Sequence, residues 1–337
     1  MITVLNKQSN GIDLISLKNE KLEVVVTNYG CTIVKILMED KEGNVSDVVL
    51  GYEDLETYGK VDAYLGALVG RIANRIKKGH FELNCEEYNL AINNGPNHLH
   101  GGIKGFSYQV FDYEIIDDKT IVFSYLSKDM EEGYPGNLDF KAYYTLEDDT
   151  LIINYKATTD KDTIINITNH SYFNLSGKSK YIGDHKLVMK ADQFACIDGD
   201  GLPTGQFRNV EGSAFDFREA AYLGDRLAME DEQLTLGNGF DHPFIFNVDK
   251  DQAILIHEES GRKLTVSTTL PGAQIYTANY LDGRAGKYGE TYDARDAVCI
   301  ETSFLPDAIH LEENPTTILK KGAEFDETTS YKFEVIK

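Results

Sequence analysis

The feature that most limits what this chain can become is a recurring pair of short runs. Each run is rich in β-branched and aromatic residues, and a cluster of turn formers divides the two. Val110 to Ile116 and Thr120 to Leu126 flank Asp117-Asp118-Lys119. Lys141 to Leu146 and Leu151 to Ala157 flank Glu147-Asp148-Asp149, while Ala253 to His257 and Lys263 to Thr268 flank Glu258 to Arg262. Such neighbours pair at once as antiparallel hairpins. Lys21 to Thr27 is another β-branched run, and Tyr331 to Ile336 alternates apolar with polar residues as a half-buried strand does. Helix signals are few. Arg218 to Asp231 carries Ala220, Ala221, Leu223, Leu227 and Met229 and predicts a short helix, and Glu53 to Tyr58 predicts one turn. The expected fold class is all-β, a large antiparallel β-sandwich with few short helices. No fixed-period repeat and no Pro/Gly/Ser linker interrupts it, so residues 1–337 are expected to form one domain.

Charge then narrows the partners. Lys and Arg number 33 against 55 Asp and Glu, a net charge of −22. Nucleic acids and anionic membranes are recognised through clustered cations, so neither is an expected partner. The 20 Tyr and 16 Phe are enough aromatic bulk to argue against disorder. Cys31, Cys85, Cys196 and Cys299 lie far apart with no CxxC pair, so they read as small buried side chains. The opening MITVLNKQSNGIDL has neither the basic stretch nor the apolar run of a secretory signal. No segment reaches the ~20 apolar residues of a spanning helix. A cytoplasmic location is therefore expected, as a monomer or a homodimer.

Several chemistries are missing. There is no G-x-G-x-x-G, no P-loop and no G-x-S-x-G. Asp198-Gly-Asp200-Gly begins like a calcium loop, but Leu202 stands where the fifth ligand would be, so an acidic glycine turn is expected. His98-Leu99-His100 would place both imidazoles on one face of a strand. Without HExxH or a Cys/His cluster to complete a tetrahedral site, no metal is expected there.

Four segments set unusual polar residues among glycines or apolar runs. In Gly70-Arg-Ile-Ala-Asn-Arg-Ile76, Arg71 and Arg75 are either surface residues lying over apolar neighbours or planar donor forks aimed at oxygens. In Asn93 to Gly102, two histidines stand beside a double glycine that permits close approach of a ligand. In Thr163 to Leu175, His170 sits among Asn and Tyr side chains that could tune it for proton transfer, or simply satisfy it in the core. In Val298 to Pro306, Glu301 interrupts an apolar run. A carboxylate there needs a partner, a raised pKa or a catalytic task, unless it points to water from an edge strand. Asp241 before His242-Pro243, and Gln274 after Gly272-Ala273, are weaker cases of the same kind.

In combination and in this order, the segments GRIANRI (70–76), NHLHGG (97–102), GYPG (133–136), NHSYFNL (169–175), GFDHPF (239–244), PGAQIYTANYL (271–281) and ETSFLP (301–306) span most of the chain. The chain resembles the galactose mutarotase (aldose 1-epimerase) family. The resemblance implies an oversized β-sandwich (supersandwich) and interconversion of the α and β anomers of free aldohexoses such as galactose and glucose, with no metal or cofactor. It implies Glu301 as general base, His170 as general acid and His100 as a helper that stabilises charge. It also implies Asn74, Arg75, Asp241 and Gln274 as holders of sugar hydroxyls, whose mixed donors and acceptors suit such side chains. Of the paired candidates, His100 is preferred to His98 and Arg75 to Arg71. Three rivals remain: a sugar-phosphate epimerase, which the acidic composition disfavours; a glycosidase using Glu301 with Asp241; and a sugar-binding module without catalysis.

Overall fold

A computed structural model describes residues 1–60, 63–178, 181–311 and 317–336. Each expected hairpin is present, although the Val110 to Ile116 run is strand only over Asp112–Ile115. Leu138–Glu147 and Thr150–Thr159 pair along their whole length across Asp148-Asp149. Alternate side chains of Leu138–Glu147 point into the core, the two-residue period of a pleated strand with one wet face. Thr150–Thr159 also pairs with Glu324–Val335, which extends well before the Tyr331 to Ile336 run that announced it.

These strands belong to a nine-stranded antiparallel sheet that runs from Asp112–Ile115 at one edge to Ala221–Tyr222 at the other. Two further sheets cover its inner face. One is a five-stranded meander over Ile2–Lys7, Asp13–Lys18, Leu22–Thr27, Thr32–Glu39 and Val45–Asp47. The other is six-stranded, in the order Tyr172–Phe173, Val298–Ser303, Gly272–Tyr276, Asp241–Ile245, Gln193–Ile197 and Pro203–Asn209. One apolar cluster joins all three: Ile33 and Ile36 from the meander, Phe123, Ile153 and Val266 from the long sheet, and Phe173, Phe244 and Ile300 from the third. Phe173 packs against Tyr331 and Phe333 across the layers, and Thr302 hydrogen-bonds Thr329 beside them. The architecture is the expected antiparallel sandwich, in which long paired sheets hide apolar faces that neither could hide alone.

Helix is scarce, as expected. Leu55–Tyr58 forms the predicted turn, with Asp54 accepting a hydrogen bond from Thr57 N as its cap. The helix expected over Arg218 to Asp231 is shorter. Ala221–Tyr222 instead extends the long sheet beside Lys186–Met189, and helix runs only over Leu223–Leu227. A free backbone edge competed for those residues and won over their helix propensity. A second helix, Glu232–Leu236, starts from an Asp231 cap. The acidic turn is present too: Asp198 Oδ1 accepts hydrogen bonds from the N–H groups of Asp200 and Leu202.

Candidate active site

The six-stranded sheet builds the floor of the site through its register. Glu301 lies opposite Gln274, Cys299 opposite Tyr276, and Tyr276 opposite Asp241. Cys299 also pairs with Tyr172 on the other flank. Residues two apart on a strand share a face, so Glu301 with Cys299, and Gln274 with Tyr276, project to the same side. That side opens into a cleft of about 480 Å³ that also takes in Asn74, Arg75, His100, His170 and Asp241. Six of the seven site residues expected from sequence therefore line one cavity, and the seventh, Gln274, stands behind it, bonded to Asp241. An apolar groove of about 630 Å³ beside Phe304 and Leu270 is larger, but no histidine lines it and it has no acid–base pair.

Glu301 and His170 are both buried, with His170 Nε2 and Glu301 Oε1 3.5 Å apart. Burial, and then the nearby Asp241 carboxylate, push the Glu301 carboxyl well above the usual range, while Arg75 pulls the other way. Burial lowers His170 to about 4. The plane of its ring is fixed by stacking on Tyr172, at 5.0 Å between centroids, with Tyr64 stacked at 6.1 Å.

His100 shows how local backbone sets a tautomer. It adopts φ +50°, so the strand ends at Leu99 and the ring turns into the cleft. The backbone N–H of Asn74 donates to His100 Nδ1 at 3.1 Å, and Asn74 O accepts from His100 N at 3.0 Å. An imidazole whose Nδ1 accepts must carry its proton on Nε2 when neutral. Burial, with His170 and Arg75 nearby, holds it well below its ordinary pKa, so His100 is a neutral N–H donor.

Asn74 itself tolerates φ +63° and bonds Arg75 N through Oδ1. Arg75 is anchored at Nε by Asn94 Oδ1 at 3.0 Å, and its NH1 reaches Gly201 O at 3.4 Å. Gln274 Nε2 donates to Asp241 Oδ1 at 2.7 Å, whereas Gln274 Oε1 is buried without a hydrogen-bond partner. Buried polar atoms are rarely left unpaired, and this one lies beside the cleft residues Asp241 and Glu301.

The near neighbours of these residues are scaffold. His98 and His100 do not share a face, contrary to the expectation for a continuous strand. His98 is wholly buried, with Nδ1 donating to Ala91 O at 2.8 Å and Nε2 accepting from Tyr134 OH at 2.5 Å. Arg71 is neither a surface residue nor in the cleft. It donates to Ser127 O and Oγ, Lys128 O, Pro135 O and Thr163 Oγ1.

Sequence reasoning did not single out Tyr64, Tyr172, Tyr276 or Cys299, and it read Asp200 and Gly201 only as an acidic turn; all of them border the cleft or its floor. Tyr276 and Cys299 were within reach, since each lies two residues from a chosen neighbour on the same strand. Tyr64 carries no such signal.

Among the described residues, Asp184, His185 and His257 form a metal-like group away from the cleft. Leu175 N donates to His185 Nε2 at 2.9 Å and Ser260 N to His257 Nδ1 at 3.3 Å. Both rings then turn an N–H toward Asp184, at 2.6 and 3.5 Å. With their lone pairs used, the imidazoles clip a carboxylate and offer a cation nothing.

The chain is similar to known proteins along nearly its whole length. The profile of the family described as Aldose 1-epimerase matches residues 13–332. Galactose mutarotase of Bos taurus is 44% identical over 329 residues, covering 96% of this chain and 94% of that protein. Aldose 1-epimerase of Escherichia coli K12 is 34% identical over 328 residues, covering 95% and 94%. The crystal structure of galactose 1-epimerase from Lactobacillus acidophilus superposes with a TM-score of 0.88 at 32% identity, covering 100% of this chain and 99% of that one. The aldose epimerase homologue from C. elegans superposes with a TM-score of 0.90 at 30% identity, covering 96% and 99%. The chain belongs to the aldose 1-epimerase family.

Proposed function

We propose that Glu301 and His170 carry out the reaction by which this isomerase interconverts the α and β anomers of a free aldohexose, galactose or glucose. The observation that carries the reading is the pair itself: a buried carboxyl and a buried imidazole 3.5 Å apart on the floor of a cleft lined with hydroxyl-binding groups.

The protons balance within the pair. Glu301 takes the proton from the C1 hydroxyl while His170 Nε2 gives one to the ring oxygen, and the bond from C1 to that oxygen breaks. Rotation about C1–C2 turns the other face of the aldehyde to the returning hydroxyl. His170 takes that hydroxyl's proton as the ring closes, and Glu301 returns its own to the C1 oxygen. No metal or cofactor enters the scheme.

Before substrate binds, burial favours the uncharged partners, carboxyl and neutral imidazole. Hydrogen bonds from sugar hydroxyls stabilise the carboxylate, so binding draws the shared proton toward His170 Nε2. His100, as a fixed Nε2–H donor, would steady charge on a sugar oxygen. Asn74, Arg75, Asp241 and Gln274 would hold the remaining hydroxyls, with Gln274 Oε1 gaining its missing donor.

Among the described residues no helix is long and apolar enough to cross a membrane. The four free thiols suit a reducing cytoplasm. The core shared by the three large sheets supports reading residues 1–337 as one domain.

Polarimetry tests the assignment. The protein is expected to speed the decay of optical rotation of fresh α-galactose, and Glu301→Gln and His170→Asn to lose most of that rate while staying folded. Full activity in both variants would overturn it. Hydrolysis of a nitrophenyl galactoside would favour the glycosidase, and binding without faster mutarotation the sugar-binding module.

A further inference from the structure

His170 is held in plane by aromatic stacking, with Tyr172 at 5.0 Å and 18° between ring planes and Tyr64 at 6.1 Å and 21°. Stacking fixes the plane but not which edge of the ring faces where. A half-turn about the Cβ–Cγ bond leaves both stacks intact and exchanges each nitrogen with a carbon. Only a polar contact at the ring edge can choose between the two orientations, and the reaction needs one of them, with Nε2 toward Glu301.

Glu301 is the contact at the Nε2 edge, and Cys299 is the contact at the Nδ1 edge. Its Sγ lies 3.5 Å from His170 Nδ1, and both residues are buried. The placement follows from the strand: Cys299 is two residues before Glu301, on the same face, so one strand presents a group to each nitrogen of the ring. We propose that Cys299 is a positioning residue, whose sulfur accepts the Nδ1–H of His170 so that Nε2 is always the nitrogen that moves the proton. This rests on the reading of His170 as the acid.

The chemistry suits the task. When imidazolium gives up its Nε2 proton, the neutral ring that remains keeps the proton on Nδ1, so Nδ1 needs an acceptor throughout the cycle. A thiol sulfur is a weak acceptor. It orients the ring without stabilising the cation as a carboxylate would, so His170 remains a willing acid. Burial keeps the thiol itself protonated. The residue's own carbonyl is the other group on the Nδ1 side; it accepts from Gly66 N at 2.9 Å and keeps a second lone pair, so the Cys299 variants decide whether it can replace the sulfur.

The test uses the whole chain with ¹⁵N-labelled histidine. The signal of His170 is assigned by its loss in His170→Asn. In the unmodified protein near neutral pH, Nδ1 is expected to be protonated and Nε2 bare. Cys299→Val fills a similar space without an acceptor. It should show a mixture of tautomers, with kcat lowered about tenfold and KM little changed. Cys299→Ala should do the same, and guards against a folding failure of the valine variant. Cys299→Ser, which keeps an acceptor, should restore the Nδ1–H tautomer and most of kcat. The Nε2–H tautomer in the unmodified protein would overturn the proposal. So would unchanged tautomer and kcat in Cys299→Val and Cys299→Ala. Should His170→Asn keep full activity, it is the acid assignment that fails, because the tautomer is read without turnover.

Discussion

Two buried polar clusters are built on opposite principles. Around Arg71, His98 and Tyr134, nearly every donor meets an acceptor: the guanidinium is spread over five oxygens, and both nitrogens of His98 are used. Around Glu301, His170 and Gln274, partners are missing. Gln274 Oε1 has none, and Glu301 and His170 face each other 3.5 Å apart with pKa values pushed in opposite directions. Burial alone therefore does not mark a functional group. We read the first cluster, nearly complete in itself, as scaffold and the second, which a ligand would complete, as the site.

Substitutions should separate the two clusters, the largest effect first. Glu301→Gln should lower kcat by about 10³-fold, with a melting temperature equal to or above that of the parent, because a carboxyl held against its charged form is removed. A large loss of stability would place Glu301 with the scaffold. Arg71→Met should do the reverse. It leaves several carbonyls without donors and should destabilise by about 3–5 kcal/mol in denaturant titrations, while the folded fraction keeps its kcat. Gln274→Leu removes the unpaired acceptor together with the donor to Asp241. KM for galactose is expected to rise about tenfold, with a smaller change in kcat.

The smallest effect depends on pH. Burial lowers His98 to about 4 in the folded protein, against about 6.5 when unfolded. Between these values the unfolded chain binds the extra proton, so the contribution of His98 is intact above pH ~6.5 and is lost as pH falls toward 4. The slope is about 1.4 kcal/mol per pH unit. Denaturant titrations at pH 7 and 5 should show it, and His98→Gln should lessen the slope by that amount while the contributions of His100 and His170 remain. An unchanged slope would mean that His98 is not held neutral.

The fold was legible because period-two alternation survives in single strands such as Leu138–Glu147. Glu301 and Gln274 were legible for a related reason, as polar residues inside strands that otherwise bury apolar side chains. What failed depended on geometry that strand periodicity does not carry. The φ of +50° at His100 broke the parity that would have paired it with His98. The open edge at Lys186–Met189 captured Ala221–Tyr222 from a predicted helix. The aromatic walls of the cleft come from segments distant in sequence, and Tyr64 meets His100 and His170 only once the sheets have packed.

The central claim is that Glu301 and His170 work as one unit sharing a proton. The polarimetric rate of the double variant Glu301→Gln/His170→Asn tests it most directly. Groups that act together fail together, so the double variant should be no slower than the slower of the two single variants. Losses that multiply would show two independent contributions and contradict the account.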